Sequence, residues 1–300
     1  MANQDTIRAA DARPNLPRVR TITPRALVDV LAKGLDDFWA MPTHVIFLSL
    51  IYPIAGILIA AATLGFQFLP LLYPMATGFA LIGPFAAIGL YGLSRRREQG
   101  LDATWLHAFD LLQADSFRPI LALGLVLLVI FGVWIAVAQA IYVSHFGYAP
   151  PESIDAFVRQ VLTTDAGHSM ILVGNGVGFL FALVAFAISV VAFPLLIDRN
   201  IGATAAAVTS VKAVLRNPLT MALWGLIVAA ALLIGSLPLF VGLAVVIPVL
   251  GHSTWHLYRK VIVSEDLPPR EVHPKPPKGR RYAADFPAVL FPVHDKEERQ

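Results

Sequence analysis

Residues 119–151 read PILALGLVLLVIFGVWIAVAQAIYVSHFGYAPP and contain no Asp, Glu, Lys or Arg. Three further stretches are equally free of charge: Phe38–Ser94, Ala166–Ile197 and Asn217–Tyr258. In chain order the four stretches are 57, 33, 32 and 42 residues long. Because a helix needs about 20 apolar residues to cross a bilayer core, they have room for two, one, one and two spans. The sequence therefore predicts an all-α membrane protein with six transmembrane helices.

The composition agrees with a membrane location. Hydrophobic residues make up 57% of the chain and charged residues 14%, with a mean hydropathy of +0.68. Soluble domains average about 45 to 50% and about 25%. The net charge of +3 is too small to indicate nucleic-acid binding. Because the chain has no cysteine, disulfides, thiolate nucleophiles and cysteine-ligated zinc or iron–sulfur clusters are excluded.

The distribution of basic residues predicts how the chain is oriented. The predicted spans are residues 44–64, 70–93, 119–143, 169–197, 218–235 and 238–257. Of the 23 Lys and Arg residues, 22 then fall on one side and only Arg159 lies opposite. Since cytoplasmic loops carry the excess of Lys and Arg, both termini are expected in the cytoplasm, in a bacterial inner membrane. The first 37 residues hold no long apolar core, so we expect an uncleaved first span as the insertion signal.

Three regions follow from this pattern. Residues 1–22 are predicted to be a flexible tail, residues 23–262 the six-span membrane domain and residues 263–300 a cytoplasmic tail. The last contains seven prolines and the basic run KPPKGRRY at 275–282. This composition predicts an extended arm that either binds anionic lipid or a partner or is simply a solvated tail.

Each predicted hairpin of spans follows an amphipathic segment that ends at a proline. In the first segment the apolar stripe is Leu27, Val30, Leu31, Leu35 and Phe38, opposed by Asp29, Lys33, Asp36 and Asp37, before Pro42. The second runs from Leu101 to Pro119, and the third runs through Ile201, Ala205, Val208, Val211 and Leu215 to Pro218. Proline disfavours helix in the residue before it, so each segment predicts an in-plane cytoplasmic helix and a corner. The alternative is that these are ordinary amphipathic loops.

The spans and the outer loop contain further local signals. Pro194 is expected to kink the fourth span, and Pro74, Gly78, Gly83 and Pro84 to disturb the second. The outer loop carries apolar residues at helical spacing from Ile154 to Leu162, which predicts a short outer helix. The segment GNGVG at 174–178 is a GxxxG match that favours helix packing.

Few residues in the spans can carry chemistry. None of the six predicted spans contains a charged residue, which disfavours proton-coupled transport. Asn175, Gln139 and Ser189 are the candidates for interior polar contacts, and they would line an aqueous path if the protein were a facilitator. The chain has no G-x-S-x-G elbow and no phosphate-binding glycine loop, so we expect no catalytic residues and no enzyme.

Histidine gives the one ligand-like pattern, in GHSTWH at 251–256. His252 and His256 are four residues apart, so on a helix both rings project from one face and could hold a metal ion or a haem. His44 and His107 are predicted at the same inner boundary. The alternative is that these are interfacial histidines without a ligand. No other cofactor is expected.

Three motifs together resemble a known family. They are KGLDDFWAMP at 33–42, FPLLIDRNIG at 193–202 followed by VKAVLRNP at 211–218, and PVLGHSTWHLYRKVI at 248–262. Over roughly Ile22–Ile262 they resemble an uncharacterised bacterial integral-membrane family, domain of unknown function 2189. The resemblance implies a multipass inner-membrane protein and supplies no activity and no functional residues.

Three functions fit these observations. The leading hypothesis is a non-enzymatic scaffold or accessory protein that acts through helix packing, with membrane lipids and a membrane-protein partner or a second copy as its contacts. The second is a facilitator or channel for a small neutral solute. The third is a haem- or metal-binding accessory protein of a respiratory complex.

Overall fold

The structure is a computed structural model and describes residues 16–41, 66–79, 83–104, 107, 116–238 and 241–263. All of these residues belong to the first of the two units into which the chain divides, residues 1–269. The predicted span at 44–64 lies outside the described residues, as do most of the two predicted tails.

The described part is mostly helical, as the sequence predicts. Its α-helices are α1 (Ala26–Ala40), α2 (Leu72–Phe79), α3 (Gly83–Ala86), α4 (Ile88–Glu98), α5 (Phe117–Phe146), α6 (Ile154–Thr163), α7 (Asp165–Ser189), α8 (Ala192–Asp198), α9 (Ala203–Arg216), α10 (Pro218–Ser236) and α11 (Leu243–Val261). A 3₁₀ helix, Phe66–Leu71, precedes α2. Two strands that the all-α prediction did not include are β1 (Arg18–Val19) and β2 (Ile262–Val263).

Three stretches of the described chain are long and apolar enough to cross a membrane: α5, the continuous run Asp165–Asp198 formed by α7 and α8, and α10. Only 22% of the most apolar window of α5, and 22% of that of α10, is buried by protein. Leu226 and Leu233 of α10 are 65% and 66% exposed. Large apolar surfaces of this kind mark contact with lipid or with another protein.

The predicted kink in the fourth span is confirmed as a break between α7 and α8. Pro194 has no backbone N–H, so it cannot donate to the carbonyl of Val190, and the helix is interrupted at Val190 and Val191. The N–H of Val191 donates instead to Ser210 Oγ of α9, at 3.2 Å. The break is therefore repaired by a neighbouring helix, and α8 is buried along its whole length.

The second and sixth predicted spans are not confirmed as single apolar helices. Residues 70–93 are divided among the 3₁₀ helix, α2, α3 and α4, with residues 80–82 outside the described part. The sixth stretch forms α11, whose second half is covered by protein: Leu250–Tyr258 is buried except at His256 and is partly polar.

The first and third amphipathic segments form helices, but with other faces than predicted. In α1 the residues Leu27, Val30 and Phe38 are buried as expected, whereas Leu35 is 44% exposed. Asp37 is only 3% exposed, so its assignment to the polar face is wrong; it lies on the buried face beside Gly34 and Phe38. Most of the predicted helix between Leu101 and Pro119 lies outside the described residues.

Helix α9 packs through its small side chains, and the predicted proline corner follows it. Ala206, Thr209, Ser210 and Ala213 are buried, while Val208 and Leu215 of the predicted apolar stripe are 40% and 73% exposed. Helix α9 ends at Arg216 and α10 begins at Pro218, where the missing N–H of proline costs nothing at the first helical position.

The short helix predicted from Ile154 to Leu162 is confirmed as α6, while its location on the outer side stays a prediction. The hydroxyl of Ser153 caps it by accepting a hydrogen bond from the N–H of Ala156 at 3.1 Å. Thr164 caps α7 in the same way through the N–H of Gly167, at 3.0 Å.

The first and last described segments are held together. Strands β1 and β2 pair antiparallel, with Arg18 opposite Val263 and Val19 opposite Ile262. Asn217, between α9 and α10, fixes the next residues: its Oδ1 accepts from the N–H of Ile22 at 2.7 Å, and its Nδ2 donates to the carbonyl of Arg20 at 3.0 Å. We call β1, β2 and Asn217 the terminal clasp.

Candidate functional site

A cluster of buried polar side chains lies where α1, α4 and α11 meet. Ser94 Oγ of α4 donates a hydrogen bond to Asp37 Oδ2 at 2.5 Å and lies 2.8 Å from His252 Nδ1. His256 Nε2 lies 2.9 Å from the same carboxylate oxygen, and Arg97 forms an ion pair with Asp37 Oδ1. Asp37, Ser94 and His252 are almost completely buried. We call these five residues the Asp37 cluster.

A glycine brings the helices close enough to form this cluster. A Cβ atom on Gly34 would lie 1.9 Å from Ser253 Oγ and 2.7 Å from the backbone nitrogen of Ser253. Helices α1 and α11 can therefore cross at this distance only because residue 34 has no side chain. Asp37 lies one turn after Gly34 in α1, which places its carboxylate between His252 and His256, one turn apart in α11.

The carboxylate of Asp37 is held in its ionised form. Burial raises its pKa, but hydrogen bonds from His256, Ser94 and Arg97 outweigh burial and leave the pKa below its ordinary value. Arg97 also bonds Asp36 through Nη2, at 2.8 Å. An ionised carboxylate with three donors is the arrangement in which a buried charge is tolerated.

The hydrogen bonds also determine the protonation of His252. Because ionised Asp37 can only accept, the proton of the Ser94 hydroxyl points toward it, and Ser94 Oγ must accept from the N–H at His252 Nδ1. The lone pair of a neutral His252 is then on Nε2. Within the described residues this buried nitrogen has no partner at hydrogen-bond geometry, although the ring also interacts with the backbone carbonyl of Leu90.

A second buried cluster forms around Asp198, the last residue of α8. Tyr258 Oη donates to Asp198 Oδ2 at 2.6 Å, and Arg199 Nε donates to the same oxygen at 3.1 Å. Arg95 Nε lies 3.4 Å from Oδ1, and Arg259 Nη1 lies 3.5 Å from Oδ2. Arg199 is the next residue in the chain, whereas Arg95, Tyr258 and Arg259 come from other helices. We call this the Asp198 cluster.

Helix α4 connects the two clusters. Its segment SRRRE at 94–98 supplies Ser94 and Arg97 to the first and Arg95 to the second. Glu98 accepts from Trp255 Nε1 and from Arg259 Nε, both at 2.9 Å. Arg95 and Arg97, which in the sequence indicate only the orientation of the chain, therefore form contacts between helices.

An open cleft lies beside the Asp37 cluster, with a volume of about 320 Å³. Its lining residues are Lys33, Asp36, Asp37, Ser94, Arg97, Glu98 and His256. The lining contains both acidic and basic side chains, and Arg97 is paired with Asp36 and Asp37. The cleft therefore presents no strong positive or negative potential to a ligand.

The structure brings His252 and His256 to the same cluster, but each meets it through a different ring nitrogen. His107 lies elsewhere and contacts Thr104, with its Nδ1 2.9 Å from Thr104 Oγ1, and His44 lies outside the described residues. Among the described residues, no group of three or more His, Asp or Glu side chains is placed to hold a metal ion.

The three candidates for interior polar contacts lie in different environments. Asn175 is exposed and not interior, and its Oδ1 accepts a hydrogen bond from Tyr73 Oη at 2.8 Å. Ser189 is buried and donates to the carbonyl of Ala185 at 2.6 Å. Gln139 Oε1 is buried with no hydrogen-bond partner in the described part. In the GxxxG segment Gly178 packs on Trp134, whereas Gly174 faces open space.

Sequence reasoning missed Asp37, Ser94, Arg97, Glu98 and Tyr258 as members of buried clusters. Their contacts join residues 57 to 219 positions apart, which a local pattern does not reveal. One available signal was the position of Asp37, directly before Phe38 of the apolar stripe. Another was the density of hydrogen-bonding residues in α11.

Within the described residues, three apolar stretches are long enough to span a bilayer, and together with the family match this makes the chain an integral membrane protein. Residues 72–198 match the family model described as "Predicted integral membrane protein (DUF2189)", which confirms over this stretch the resemblance seen in the sequence. The match includes FPLLID at 193–198, while the motifs at 33–42 and 248–262 lie outside it. No curated protein and no solved structure matches the chain.

Proposed function

We propose that the protein is a six-span protein of a bacterial inner membrane, arranged as three hairpins with in-plane helices and both termini in the cytoplasm. In this proposal it is a non-enzymatic scaffold or accessory protein. Its two polar clusters hold a rigid cytoplasmic layer together, and its exposed apolar helices bind a membrane-protein partner or a second copy.

One observation carries the scaffold proposal: the buried charges bond one another rather than facing a substrate. Ser94 is 1% exposed, so its hydroxyl cannot reach a substrate. In addition, the Ser94 hydroxyl donates to Asp37 and not to a histidine. His252 adjoins Ser94, but its other ring nitrogen bonds no carboxylate among the described residues, whereas a serine nucleophile needs a histidine that links it to a carboxylate. The cluster is thus suited to fastening helices.

Partner binding is supported by the apolar faces of α7 and α10. Leu180 of α7 is 59% exposed and Leu226 of α10 is 65% exposed, and Gly174 and Gly176 leave open space on α7. Small residues on a lipid-facing helix allow another helix to approach closely.

Site-specific crosslinking tests this proposal. Because the chain has no cysteine, Leu180→Cys and Leu226→Cys each introduce one reactive site. Bismaleimide crosslinking in native membranes should give an adduct of defined mass from at least one of them, and Tyr148→Cys, in the outer loop, serves as the control. A chain that stays uncrosslinked at both positions and purifies alone would refute the scaffold role.

The proposed orientation has a separate test. A phosphatase fused after Gln300 should stay inactive in a bacterial periplasm, because the positive-inside bias places this end in the cytoplasm. Strong periplasmic activity would contradict the orientation without bearing on partner binding.

A haem- or metal-binding accessory role is the second candidate. The buried lone pair of His252 Nε2, without a partner in the described residues, favours it because a neutral imidazole nitrogen is a common ligand. Purified protein with neither a Soret band nor a stoichiometric transition metal would discard this alternative.

A further inference from the structure

The outward face of α9 combines an apolar stripe with basic side chains. Val208 and Leu215 are exposed on this helix, as are Lys212 and Arg216. At helical spacing Lys212 neighbours Val208, Leu215 and Arg216, three or four residues away. The opposite face, of small residues such as Ala206 and Ala213, is completely buried.

This apolar stripe continues into one of the membrane-spanning helices. Leu219, in the first turn of α10, is 72% exposed and lies four residues after Leu215, which is 73% exposed. Leu226 extends the same exposed surface along α10. The surface that α10 presents to its surroundings therefore reaches across the Pro218 corner onto α9.

The charge of this face has one sign. Between residues 199 and 263 the chain contains Lys and Arg but no Asp or Glu. Thr21 lies two residues after β1, and its hydroxyl accepts a hydrogen bond from Arg216 Nε at 3.3 Å, which orients the arginine. Helix α1 differs, because its exposed Lys33 is paired with Asp29 at 3.5 Å and Asp36 lies on the same side.

From this difference we infer that α9 binds the phosphate groups of anionic lipids, with Lys212 and Arg216 as donors and Val208 and Leu215 inserted among the acyl chains. Helix α1 contacts the same membrane surface without this preference. The inference rests on the membrane arrangement proposed above. An amphipathic helix with basic residues beside its apolar face is the known form of such a surface.

A quenching experiment in lipid nanodiscs tests this. Leu215→Cys carries a fluorophore on α9, and Val28→Cys carries the matched one on α1, where residue 28 is 72% exposed. Brominated phosphatidylglycerol and brominated phosphatidylcholine are compared as quenchers in the full-length protein. We expect the anionic lipid to quench the label at 215 several-fold more effectively, and the label at 28 equally with both.

The double variant Lys212→Gln and Arg216→Gln should remove the several-fold preference at 215, so that both lipids quench this label about equally. Added salt should weaken the preference in the wild type. Equal quenching by both lipids at 215 would overturn this inference alone. A label at 215 that neither lipid quenches would overturn the in-plane arrangement itself.

Discussion

Two regions of the molecule differ in which side chains they bury. Polar side chains are buried at the junction where α1, α4 and α11 meet, whereas α5 and α10 expose large apolar side chains. The first region buries charged groups. Asp37 of α1 and Asp198, at the end of α8, are 3% and 6% exposed and bond cationic groups from other helices. In α5 and α10 the outward surface is Leu and Val instead. We interpret the difference as the effect of two solvents: water surrounds the first region and lipid surrounds the second, where apolar residues need no burial. We call this the two-solvent interpretation.

Removal of the Asp37 carboxylate should lower the stability of the protein most. Asp37→Ala leaves Ser94 and His256 without their carboxylate acceptor and removes one of the two carboxylates that Arg97 bonds, so we expect a loss of about 3 to 5 kcal/mol in unfolding free energy. Thermal unfolding in detergent measures it. Asp36→Ala is the matched control, because the side chain of Asp36 is 71% exposed and such a pair contributes about 0 to 1 kcal/mol. Equal effects of the two substitutions would contradict a buried fastener.

The same substitution in both regions tests the two-solvent interpretation directly. Leu257→Ala in α11, where residue 257 is 0% exposed, should cost about 2 to 5 kcal/mol because it leaves a cavity. Leu226→Ala in α10 should change stability by less than about 0.5 kcal/mol, as surface substitutions do. If Leu226→Ala costs as much as Leu257→Ala in the purified monomer, without the partner proposed for α10, residue 226 packs against the chain itself and not against lipid.

The helix crossing at Gly34 predicts an intermediate effect. Gly34→Ala forces its methyl group against Ser253, so we expect a loss of about 1 to 3 kcal/mol from overpacking. Gly132→Ala in α5 meets nothing within 4 Å and should be neutral or stabilising by about 0.4 to 1 kcal/mol. Melting temperatures of the two variants decide the matter, and a stable Gly34→Ala protein would mean that the helices do not cross so closely.

Acid should weaken the junction more than the apolar helices, with the smallest effect of the four. Since the folded-state pKa of Asp37 is below 3.8, its ordinary value, the unfolded chain binds more protons in acid. The stabilisation by this carboxylate is therefore complete above about pH 4 and is lost as the pH falls through the folded-state pKa. The melting temperature of the wild type should fall more steeply over this range than that of Asp37→Asn, and parallel curves would refute the assignment.

The sequence predicts the part of the fold that lipid determines and misses the part that protein contacts determine. Long charge-free runs identify α5, α7 with α8, and α10, because solvent preference acts on each residue separately. Asp37 was assigned to the polar face of α1 because its partners, Ser94 and His256, lie far away in the chain. The pair His252 and His256 was recognised as a spaced motif, but the Ser94 and Asp37 side chains that bond it were not. The terminal clasp involves only two residues in each strand and has no local signature.

The terminal clasp has a consequence for biosynthesis. Residues 18–22 leave the ribosome long before their partners, which are Asn217 and Thr220 at the start of the last hairpin and Val261 to Val263 at its end. The opening segment must therefore wait, without these bonds, until nearly the whole membrane domain has been translated and inserted. Formation of the terminal clasp therefore comes after the insertion of the spans that lie between its two halves.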